Sequence, residues 1–520
     1  MAFKFRTIFT RQVLLSEVAV LAYLAAVKFL VPLLASADFG FHRDEFLYLA
    51  MGQHLDWGYL EVPPSIAFFA ALSRWLLGGS LYAVHFFPAL TGALTLLLTG
   101  LIARQLGGGR FAQVLAALAY LFSPVYLHMN ILFQPVTFDL FYFVLSAYLI
   151  IRILKEDKPR LWVFLGVVAG LGLLNKYTML LYGFGIAVSL LLTPYRRYYR
   201  NRWLWLAALI ALIICLPNLL WQHSQGWPLF EHMRALSESQ LVNVQPFTFL
   251  IGQLLMNLFA SPVWLAGLFF VLFSAAGRTW RPLGWLYGAM LAVLLILSGK
   301  TYYLAPAYPM LMAAGAVVLE RAGRRPWNLI LRPALVLLIV AGGVMQLPIG
   351  VPCLPVDRMI RFFEFGSRNM GMAEILRWET GEFHELPQDW ADMLGWEEQV
   401  AAVAETWHSL PAEDRAKCAI FASNYGAAGA IDYYGHHYGL PKAICPTSSY
   451  WLWGYGDYTG EILLTIGISE EEFAGVYETS EAGAVFSYPH AREDGTPIRI
   501  WRRPRMSLAD IWAYNARNRY

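Results

Sequence analysis

Charged residues are scarce in this sequence. Only 14% of its 520 residues are Asp, Glu, Lys or Arg, while 58% are hydrophobic and the mean hydropathy is +0.47. An average soluble protein has about 25% charged and 45–50% apolar residues. The composition therefore excludes a soluble enzyme and a nucleic-acid-binding protein, and predicts an integral membrane protein.

Cysteine is also scarce, with four residues at Cys215, Cys353, Cys418 and Cys445. Four are too few for a disulfide framework in a chain of this length, and none forms the close CxxC pair of a metal site. Cys418 and Cys445 either pair or lie buried separately, and the general burial of free cysteine favours the second arrangement. Nucleotide-loop, HExxH and GxSxG patterns are missing as well, so those cofactor and hydrolase classes are not predicted.

The charge that is present divides the chain in two. Residues 1–350 hold 25 of the 39 Lys and Arg residues but only 12 of the 36 Asp and Glu residues, and the balance is reversed in 351–520. We therefore predict a transmembrane domain over residues 1–350 and a soluble domain over residues 351–520.

Long apolar runs fill the first part. A helix needs about 20 apolar residues to cross the hydrocarbon core, and by that measure we predict about eleven spans. They cover residues 13–36, 81–103, 111–126, 136–154, 161–174, 177–193, 203–220, 247–274, 283–298, 303–319 and 327–349. The first run is longer than the apolar core of a signal peptide, so we expect it to remain as a span.

Basic residues follow every second span. They lie in the N-terminal segment and in the loops near residues 104–110, 152–160, 196–202, 278–281 and 321–325. By the positive-inside rule these segments face the cytoplasm. With eleven spans, the acidic tail and the loop after the first span then lie outside an inner (plasma) membrane.

The tail reads as a small α/β domain. Residues 356–400 have an amphipathic helical pattern, 417–422 a strand pattern, 427–438 a helix of small residues, and 461–468 and 497–501 further strand patterns. The aromatic stretch 450–456 is open to three interpretations, namely a sugar-stacking platform, a membrane-interface belt or ordinary packing. Packing is favoured.

Polar side chains cluster where the predicted spans reach the outer face. Asp44 and Glu45 follow the first span, Asp139 lies just inside the fourth, Lys176 ends the fifth and Lys300 ends the ninth. Groups at one leaflet boundary can line one cavity at headgroup depth. That placement suits a substrate with a lipid tail and a charged head.

Each of these groups also has a structural interpretation. Asp139 is the hardest to explain structurally, because an unpaired carboxylate in a membrane helix costs about 2.5–3.5 kcal/mol. Lys176 and Lys300 are equally consistent with snorkelling to the headgroups, and for Lys28 snorkelling is the favoured expectation. His42 and Arg43 are open to a structural role beside the acidic pair.

Several motifs together resemble a known family. They are residues 41–45 (FHRDE), 57–59 (WGY), 63–64 (PP), 134–139 (QPVTFD), 170–178 (GLGLLNKYT), 221–222 (WQ), 226–228 (GWP) and 300–306 (KTYYLAP). In this order they resemble the bacterial relatives of protein O-mannosyltransferases and of the lipid A aminoarabinose transferase, within the dolichyl-phosphate-mannose-protein mannosyltransferase-like family. Residues 424–430 (NYGAAGA) and 450–454 (YWLWG) resemble the tail of one bacterial branch.

The resemblance implies a polytopic α-helical C-type glycosyltransferase fold with an extracytoplasmic α/β domain. It also implies transfer of a hexosyl- or pentosyl-type sugar, normally with inversion, from a polyprenyl-phosphate donor. The acceptor is a lipid, glycan or protein outside the cytoplasm, and membrane lipids surround the site. Asp44 and Glu45 match the family's catalytic acidic pair, and Asp139 matches a second acidic position. Val62 departs from the pattern, since many relatives have His before the two prolines.

The chemistry of such a transfer agrees with these residues. The incoming hydroxyl needs a base, for which Asp44 is the candidate, and the leaving phosphate needs positive and hydrogen-bonding groups. Successive helical residues point about 100° apart, so Glu45 is expected to orient the loop or an optional divalent metal. No residue is assigned as a metal ligand.

The candidates for substrate binding are six residues with cationic or hydrogen-bonding side chains. They are His42, Arg43, Lys176, Lys300, Tyr302 and Tyr303. The competing class is a transporter or flippase of a lipid-linked or small anionic substrate, which predicts inverted repeats and broken helices with polar groups near the membrane midplane. The sequence shows neither of these features.

Overall fold

The computed structural model describes residues 17–35, 39–239, 245–322 and 328–516. Helices make up most of the first 350 residues. They are α1 (Glu17–Ala35), α2 (Arg43–Met51), α3 (Ser65–Leu77), α4 (Leu81–Gln105), α5 (Arg110–Leu121), α6 (Pro124–Ile131), α7 (Pro135–Glu156), α8 (Pro159–Leu173), α9 (Thr178–Leu191), α10 (Arg202–Ser224), α11 (Pro228–Ser239), α12 (Pro246–Leu255), α13 (Ser261–Phe273), α14 (Arg281–Ile296), α15 (Tyr308–Arg321), α16 (Asn328–Met345) and α17 (Leu347–Gly350).

Every predicted span coincides with helix in the described residues. Within the part of the chain that the structure describes, five segments are long and apolar enough to cross a membrane alone: Leu81–Gln105, Pro135–Glu156, Arg202–Ser224, Arg278–Ile296 and Thr301–Arg321. Three more apolar segments of the described chain are pairs of helices that bend by 63°, 113° and 76° at a short break, so the expectation that broken helices are absent is wrong. The polytopic helical architecture is therefore confirmed, while the number of eleven spans stays a prediction.

Proline sets where many of these helices begin. It occupies the first or second position of α6, α7, α8, α12, α13, α14 and α15. At that position the ring's fixed φ suits a helix and its missing N–H has no intrahelical partner to lose. The bend between α5 and α6 follows, since the continuous apolar run is interrupted where Pro124 starts a new helix.

The described chain packs as two units. One contains the described residues of Met1–Ala35, Tyr82–Ser224 and Leu236–Cys353, and the other those of Ser36–Leu81, Gln225–Ala235 and Leu354–Tyr520. The loop after the first span thus packs with the tail. The domain boundary at residue 350 stays a prediction.

In the first unit, small residues let membrane helices approach closely. Gly267 of α13 faces the backbone at Leu311 of α15, and Gly315 of α15 faces the backbone at Val263 of α13. A Cβ atom at either glycine would overlap that backbone. Such contacts give van der Waals attraction between helices, which stabilises packing where lipid removes the hydrophobic driving force.

Lys28 in α1 differs from its expected snorkelling position. Its side chain is fully buried, its Nζ donates to the carbonyl of Tyr126 in α6 at 2.7 Å, and it lies 5.3 Å from the centre of the Tyr120 ring. The snorkelling prediction is wrong because a protein carbonyl and an aromatic face, rather than the headgroups, receive the ammonium.

The tail is built of short helices and one sheet. Its elements are α18 (Val356–Asn369), α19 (Gln388–Ala391), α20 (Trp396–Ser409), α21 (Ala412–Arg415), β1 (Cys418–Ala422), α22 (Tyr425–Tyr434), α23 (Tyr450–Trp453), β2 (Ile462–Ile466), α24 (Glu470–Phe473), β3 (Tyr477–Ala482), β4 (Ile498–Pro504) and α25 (Leu508–Asn515). The sheet order is β1-β2-β4-β3, with β1 and β2 parallel and the other pairs antiparallel. The α/β architecture of the tail is confirmed.

The aromatic stretch of the tail is largely used for packing. The Trp451 and Trp512 indoles each donate to the other's backbone carbonyl, at 3.2 and 3.0 Å. The His54 ring stacks on Trp453 with centroids 4.3 Å apart. Cys418 and Cys445 are both buried and free, so the favoured expectation for the cysteines holds.

Residues 39–81 are held to the tail by polar contacts. Both carboxylate oxygens of Glu61 accept hydrogen bonds from Ser449, from its backbone N–H at 2.8 Å and its hydroxyl at 2.6 Å. The Tyr433 hydroxyl donates to the carbonyl of Gly79 at 2.5 Å, and Lys442 donates to Gln53 at 2.9 Å. The loop and the tail therefore form one unit around α2.

Candidate active site

The acidic pair stands at the start of α2, where a reciprocal cap fixes the chain. His42 is the N-cap residue, and its Nδ1 accepts the backbone N–H of Asp44 at 3.1 Å. The fully buried Glu45 reaches back, and its Oε2 accepts the backbone N–H of His42 at 2.8 Å. This capping box satisfies two amides that a helix start would leave unpaired. The Glu45 side chain therefore stabilises the turn that carries Asp44.

Asp44 points away from Glu45 toward the tail. Its Oδ1 accepts a hydrogen bond from the Tyr425 hydroxyl at 2.7 Å. Burial raises the pKa of Tyr425 well above its usual range, and the nearby charge of Asp44 raises it further. The phenol therefore stays protonated and donates to the carboxylate.

Arg43 stacks on the same tyrosine. Its guanidinium carbon lies 4.8 Å from the centre of the Tyr425 ring, and its backbone N–H donates to the carbonyl of Asp392 at 3.1 Å. A guanidinium over an aromatic face is attracted by the ring quadrupole. Arg43 thus brings positive charge next to Asp44 while both side chains remain partly exposed.

The imidazole of His42 faces two carboxylates of the tail. Nε2 lies 3.6 Å from Asp389 Oδ1 and 3.8 Å from Asp392 Oδ2, which are ion-pair distances longer than a hydrogen bond. Burial alone would lower the pKa of His42, whereas its interaction with Asp389 and the charges of Asp44 and Asp392 raise it. Protonation of both ring nitrogens would break the cap, because Nδ1 accepts the Asp44 N–H, so the geometry favours the neutral ring with its proton on Nε2. The ring therefore retains a proton beside these acids.

These three side chains have the spacing of a metal site, since their ligand atoms lie within 4.8 Å of one another. The donor set does not suit a metal, however. Because Nδ1 accepts the Asp44 amide, the ring proton of the neutral imidazole must sit on Nε2, where a metal would have to bind. The Arg492 guanidinium also contacts both oxygens of Asp392, at 3.1 and 3.3 Å. A proton and a guanidinium already balance this cluster.

Asp139 belongs to the other unit, four residues into α7. The residue is 4% exposed, its Oδ2 accepts a hydrogen bond from the Thr178 hydroxyl at 2.7 Å, and its Oδ1 is buried with no hydrogen-bond partner among the described residues. Ionisable residues inside membrane helices are rare and commonly functional, so Asp139 stays a candidate site residue.

Lys176 lies beside it in the turn between α8 and α9. Its Nζ is 5.3 Å from the centre of the Tyr303 ring, and its charge acts on the Asp139 carboxylate. The turn is tied to the start of α7 because the side-chain amide of Asn175 donates to the backbone carbonyl of Pro135 at 2.9 Å. This hydrogen bond links the two segments that carry Asp139 and Lys176.

Lys300 immediately precedes the 3₁₀ turn Thr301–Ala307. Tyr302 and Tyr303 in this turn meet edge to face with centroids 4.9 Å apart, and the turn is anchored by Gln253, whose amide donates to the carbonyl of Thr301 at 3.1 Å. All three candidate residues are partly exposed. The Tyr303 ring joins this turn to Lys176.

The predicted site residues thus form two groups. His42, Arg43, Asp44 and Glu45 lie in the unit that contains the tail, whereas Asp139, Lys176, Lys300, Tyr302 and Tyr303 lie in the unit of membrane helices. Sequence reasoning missed four neighbours that complete these groups. They are Thr178, Asp389, Asp392 and Tyr425. Thr178 and Tyr425 stood within quoted motifs, but nothing in the sequence connected them with an acidic partner.

Comparison with known proteins gives a family match and a curated relative. The family model described as dolichyl-phosphate-mannose-protein mannosyltransferase matches residues 61–221. The lipid A galacturonosyltransferase RgtD of Rhizobium johnstonii is 27% identical over 182 residues, which are 35% of this chain and 38% of that protein. The chain therefore matches well under half the length of this relative.

Solved structures extend the likeness to the whole chain. ArnT from Cupriavidus metallidurans, both bound to undecaprenyl phosphate and in the apo state, superposes with a TM-score of 0.60 over 93% of this chain and 97% of ArnT, at 16% identity. At that identity the likeness concerns the fold. The resemblance seen in the motifs is confirmed: the chain has the C-type membrane glycosyltransferase fold of ArnT and carries, over residues 61–221, the sequence pattern of the dolichyl-phosphate-mannose-protein mannosyltransferase family.

Proposed function

We propose that this protein transfers a hexosyl- or pentosyl-type sugar from a polyprenyl-phosphate donor to a lipid, glycan or protein acceptor on the extracytoplasmic side of the membrane. The family pattern over residues 61–221 and the ArnT-like fold support a glycosyltransferase over a transporter. The likeness to ArnT bound to undecaprenyl phosphate supports a lipid-linked donor, and the likeness to RgtD, a lipid A galacturonosyltransferase, supports a lipid acceptor.

The observation that carries the proposal is the arrangement of Asp44. Its position is fixed from one side by the capping box and from the other by Tyr425, while its neighbour Glu45 is buried in the cap. A carboxylate held in this way is suited to accept a proton from an acceptor hydroxyl. The new bond forms between the acceptor oxygen and the anomeric carbon, and the bond from that carbon to the phosphate oxygen breaks. Its electron pair leaves with the polyprenyl phosphate.

The remaining residues receive roles from their charge. Lys176 and Lys300 bind the donor phosphate, with Tyr302 and Tyr303 as hydrogen-bond donors, and stabilise the charge that it gains as the sugar departs. Asp139 orients Lys176 and the sugar. Arg43 supplies further positive charge beside the base, and His42 holds the turn that carries it.

The test begins with the substrate. Lipids and glycans from a deletion strain and its complemented parent are compared by mass spectrometry to identify the missing sugar. The purified protein is then assayed for transfer from the corresponding undecaprenyl-phosphate sugar. Asp44→Asn should lower turnover by about 10²–10⁴-fold, the range for removing a general base, while donor binding persists.

Two results would contradict the proposal. Turnover by Asp44→Asn above a tenth of the normal rate would remove Asp44 as the base. Unchanged sugars in the deletion strain, together with accumulation of an untransferred lipid or solute on one side of the membrane, would indicate the transporter or flippase instead.

We also propose an inner-membrane location with the N-terminus in the cytoplasm and the tail outside. In a variant without the native cysteines, single cysteines at the exposed positions Arg196 and Arg278 should react with an impermeant maleimide only after the cells are opened. Cysteines at the exposed positions Asp56 and His436 should react in intact spheroplasts. Labelling of position 436 only in opened cells would invert the proposed topology.

A further inference from the structure

We propose that Tyr425 is a positioning residue for the catalytic base, so that the tail supplies part of the active site. The inference rests on the proposed function, in which Asp44 accepts the proton of the acceptor hydroxyl. It goes beyond that proposal by assigning the tail a task in turnover.

The first support is the pair of contacts that Tyr425 makes. Its hydroxyl donates to Asp44 Oδ1 at 2.7 Å, and its ring lies under the Arg43 guanidinium at 4.8 Å. The tyrosine therefore engages two consecutive residues of the α2 start, one through its oxygen and one through its π face. Together, the hydrogen bond and the cation–π contact fix the position and the orientation of the Tyr425 ring relative to α2.

The second support is the close approach of α22 to α2. A Cβ atom at Gly426 would meet Arg43 Cγ at 2.5 Å, and a Cβ atom at Gly429 would meet Phe46 Cβ at 2.6 Å and its backbone at 2.8 Å. Glycine at these two positions lets the helix backbones come together. Asn424 caps α22 by accepting the amide of Ala427 at 3.0 Å. The helix that carries Tyr425 is thus fixed at its start as well as along its face.

The chemical consequence concerns the orientation of Asp44. A phenol hydrogen bond to Oδ1 restricts rotation of the carboxylate, so the group that takes the proton from the acceptor keeps one orientation. Without the phenol, the carboxylate turns among several rotamers, and fewer of them point at the acceptor. Loss of Tyr425 should consequently act on the rate of transfer more than on donor affinity.

The alternative is that Tyr425 only stabilises the tail. Tyr450 provides a matched control, because its hydroxyl also donates to a carboxylate, Asp432 Oδ2, at 3.0 Å within the same unit. Tyr450→Phe and Tyr425→Phe each remove one phenol oxygen and one hydrogen bond to an Asp. Of these two tyrosines, Tyr425 is the one that donates to Asp44.

The experiment uses the full-length protein, with donor and acceptor identified from the deletion strain. Tyr425→Phe should lower kcat by about 10- to 100-fold, the effect of losing a hydrogen bond to a charged group, and leave the KM for donor within about twofold. Tyr450→Phe should leave kcat within about twofold. Both variants should show similar Tm values.

A graded series covers the case in which Tyr425→Phe does not fold. Fluorotyrosines placed at position 425 keep the ring and the donor while changing the acidity of the phenol. The inference expects kcat to change steadily across the series, and a constant kcat would overturn it.

Three further results would also overturn the inference. The first is a normal kcat in Tyr425→Phe, and the second is an equal loss in Tyr425→Phe and Tyr450→Phe. If Asp44→Asn is inactive in either case, only the inference fails and the proposed function survives. The third is a fully active Asp44→Asn, which removes the proposed base and with it the role of Tyr425.

Discussion

Asp44 and Asp139 are two carboxylates in physically different surroundings. Asp44 opens a helix outside the membrane spans, where the positive end of the helix dipole and a phenol stabilise its charge. Asp139 lies inside a membrane helix with one hydroxyl donor and an open oxygen, and the charge that acts on it is that of Lys176. The proposed function gives the two carboxylates different tasks. In it, Asp44 is the base, whereas Asp139 acts together with Lys176.

Neutralising Asp139 should have the largest effect on the difference between the two carboxylates. Asp139→Asn should lower turnover by at least about 100-fold, because Lys176 would lose the carboxylate that orients it. Asp157→Asn, near the opposite end of the same helix, should leave turnover unchanged. Single-turnover transfer by the purified proteins measures both variants. Normal turnover in Asp139→Asn would reduce Asp139 to a structural residue.

Lysine substitutions test the cation side of the same group. Lys176→Gln and Lys300→Gln should each lower the single-turnover rate by about 10- to 100-fold and weaken donor binding less, since their effect grows as the phosphate gains charge. Lys155→Gln is the control, as this exposed lysine at the other end of α7 contacts Gln105. Equal rates in all variants would favour snorkelling for both lysines.

Thr178 should show a smaller effect. Thr178→Val removes the hydroxyl that donates to Asp139, and a net loss of about 1 kcal/mol per hydrogen bond corresponds to about fivefold in turnover. Thr95→Val removes a hydroxyl that donates to the carbonyl of Thr91 in its own helix and belongs to neither group of site residues, so it is the control. A loss in Thr178→Val as large as that in Asp139→Asn would mean that the carboxylate acts only through this hydroxyl.

A third carboxylate, Asp432, lies outside both groups of site residues. The substitution Asp432→Asn should leave turnover unchanged. Burial raises the pKa of Asp432 to about 6, from about 4 in an unfolded chain. The folded protein therefore holds this proton more tightly than the unfolded chain, and stability falls as pH rises from about 4 to about 6. Across that window the Tm of the normal protein should fall by several degrees relative to Asp432→Asn. Parallel Tm curves would show that Asp432 does not titrate in this range.

Much of this fold was predictable because membrane insertion is governed by local composition. A run of apolar residues forms a helix whatever its neighbours are, so every predicted span coincides with helix. The breaks were not predictable in the same way. Residues 247–274 form one continuous apolar run, yet the chain bends by 76° between α12 and α13. Strand β3 was missed because its residues are mostly polar and exposed, with no hydrophobic alternation.

The candidate site residues were also predictable only in part. Charged residues at span ends are visible in a sequence, and these supplied Asp44, Asp139, Lys176 and Lys300. Partners that depend on tertiary packing are not visible. Tyr425 and Asp44 are 381 residues apart, and no periodicity or spacing connects them. The buried position of Lys28 likewise depends on a carbonyl in another helix.

Lys28 also bears on how the protein is made. Its ammonium occupies the middle of the first span, where an isolated lysine costs about 2.5–3.5 kcal/mol on insertion scales. Its acceptor, the carbonyl of Tyr126, is synthesised 98 residues later. The first span therefore leaves the translocon without its partner or waits beside it until α6 emerges. Stable insertion of the first span therefore depends on a helix that is synthesised later.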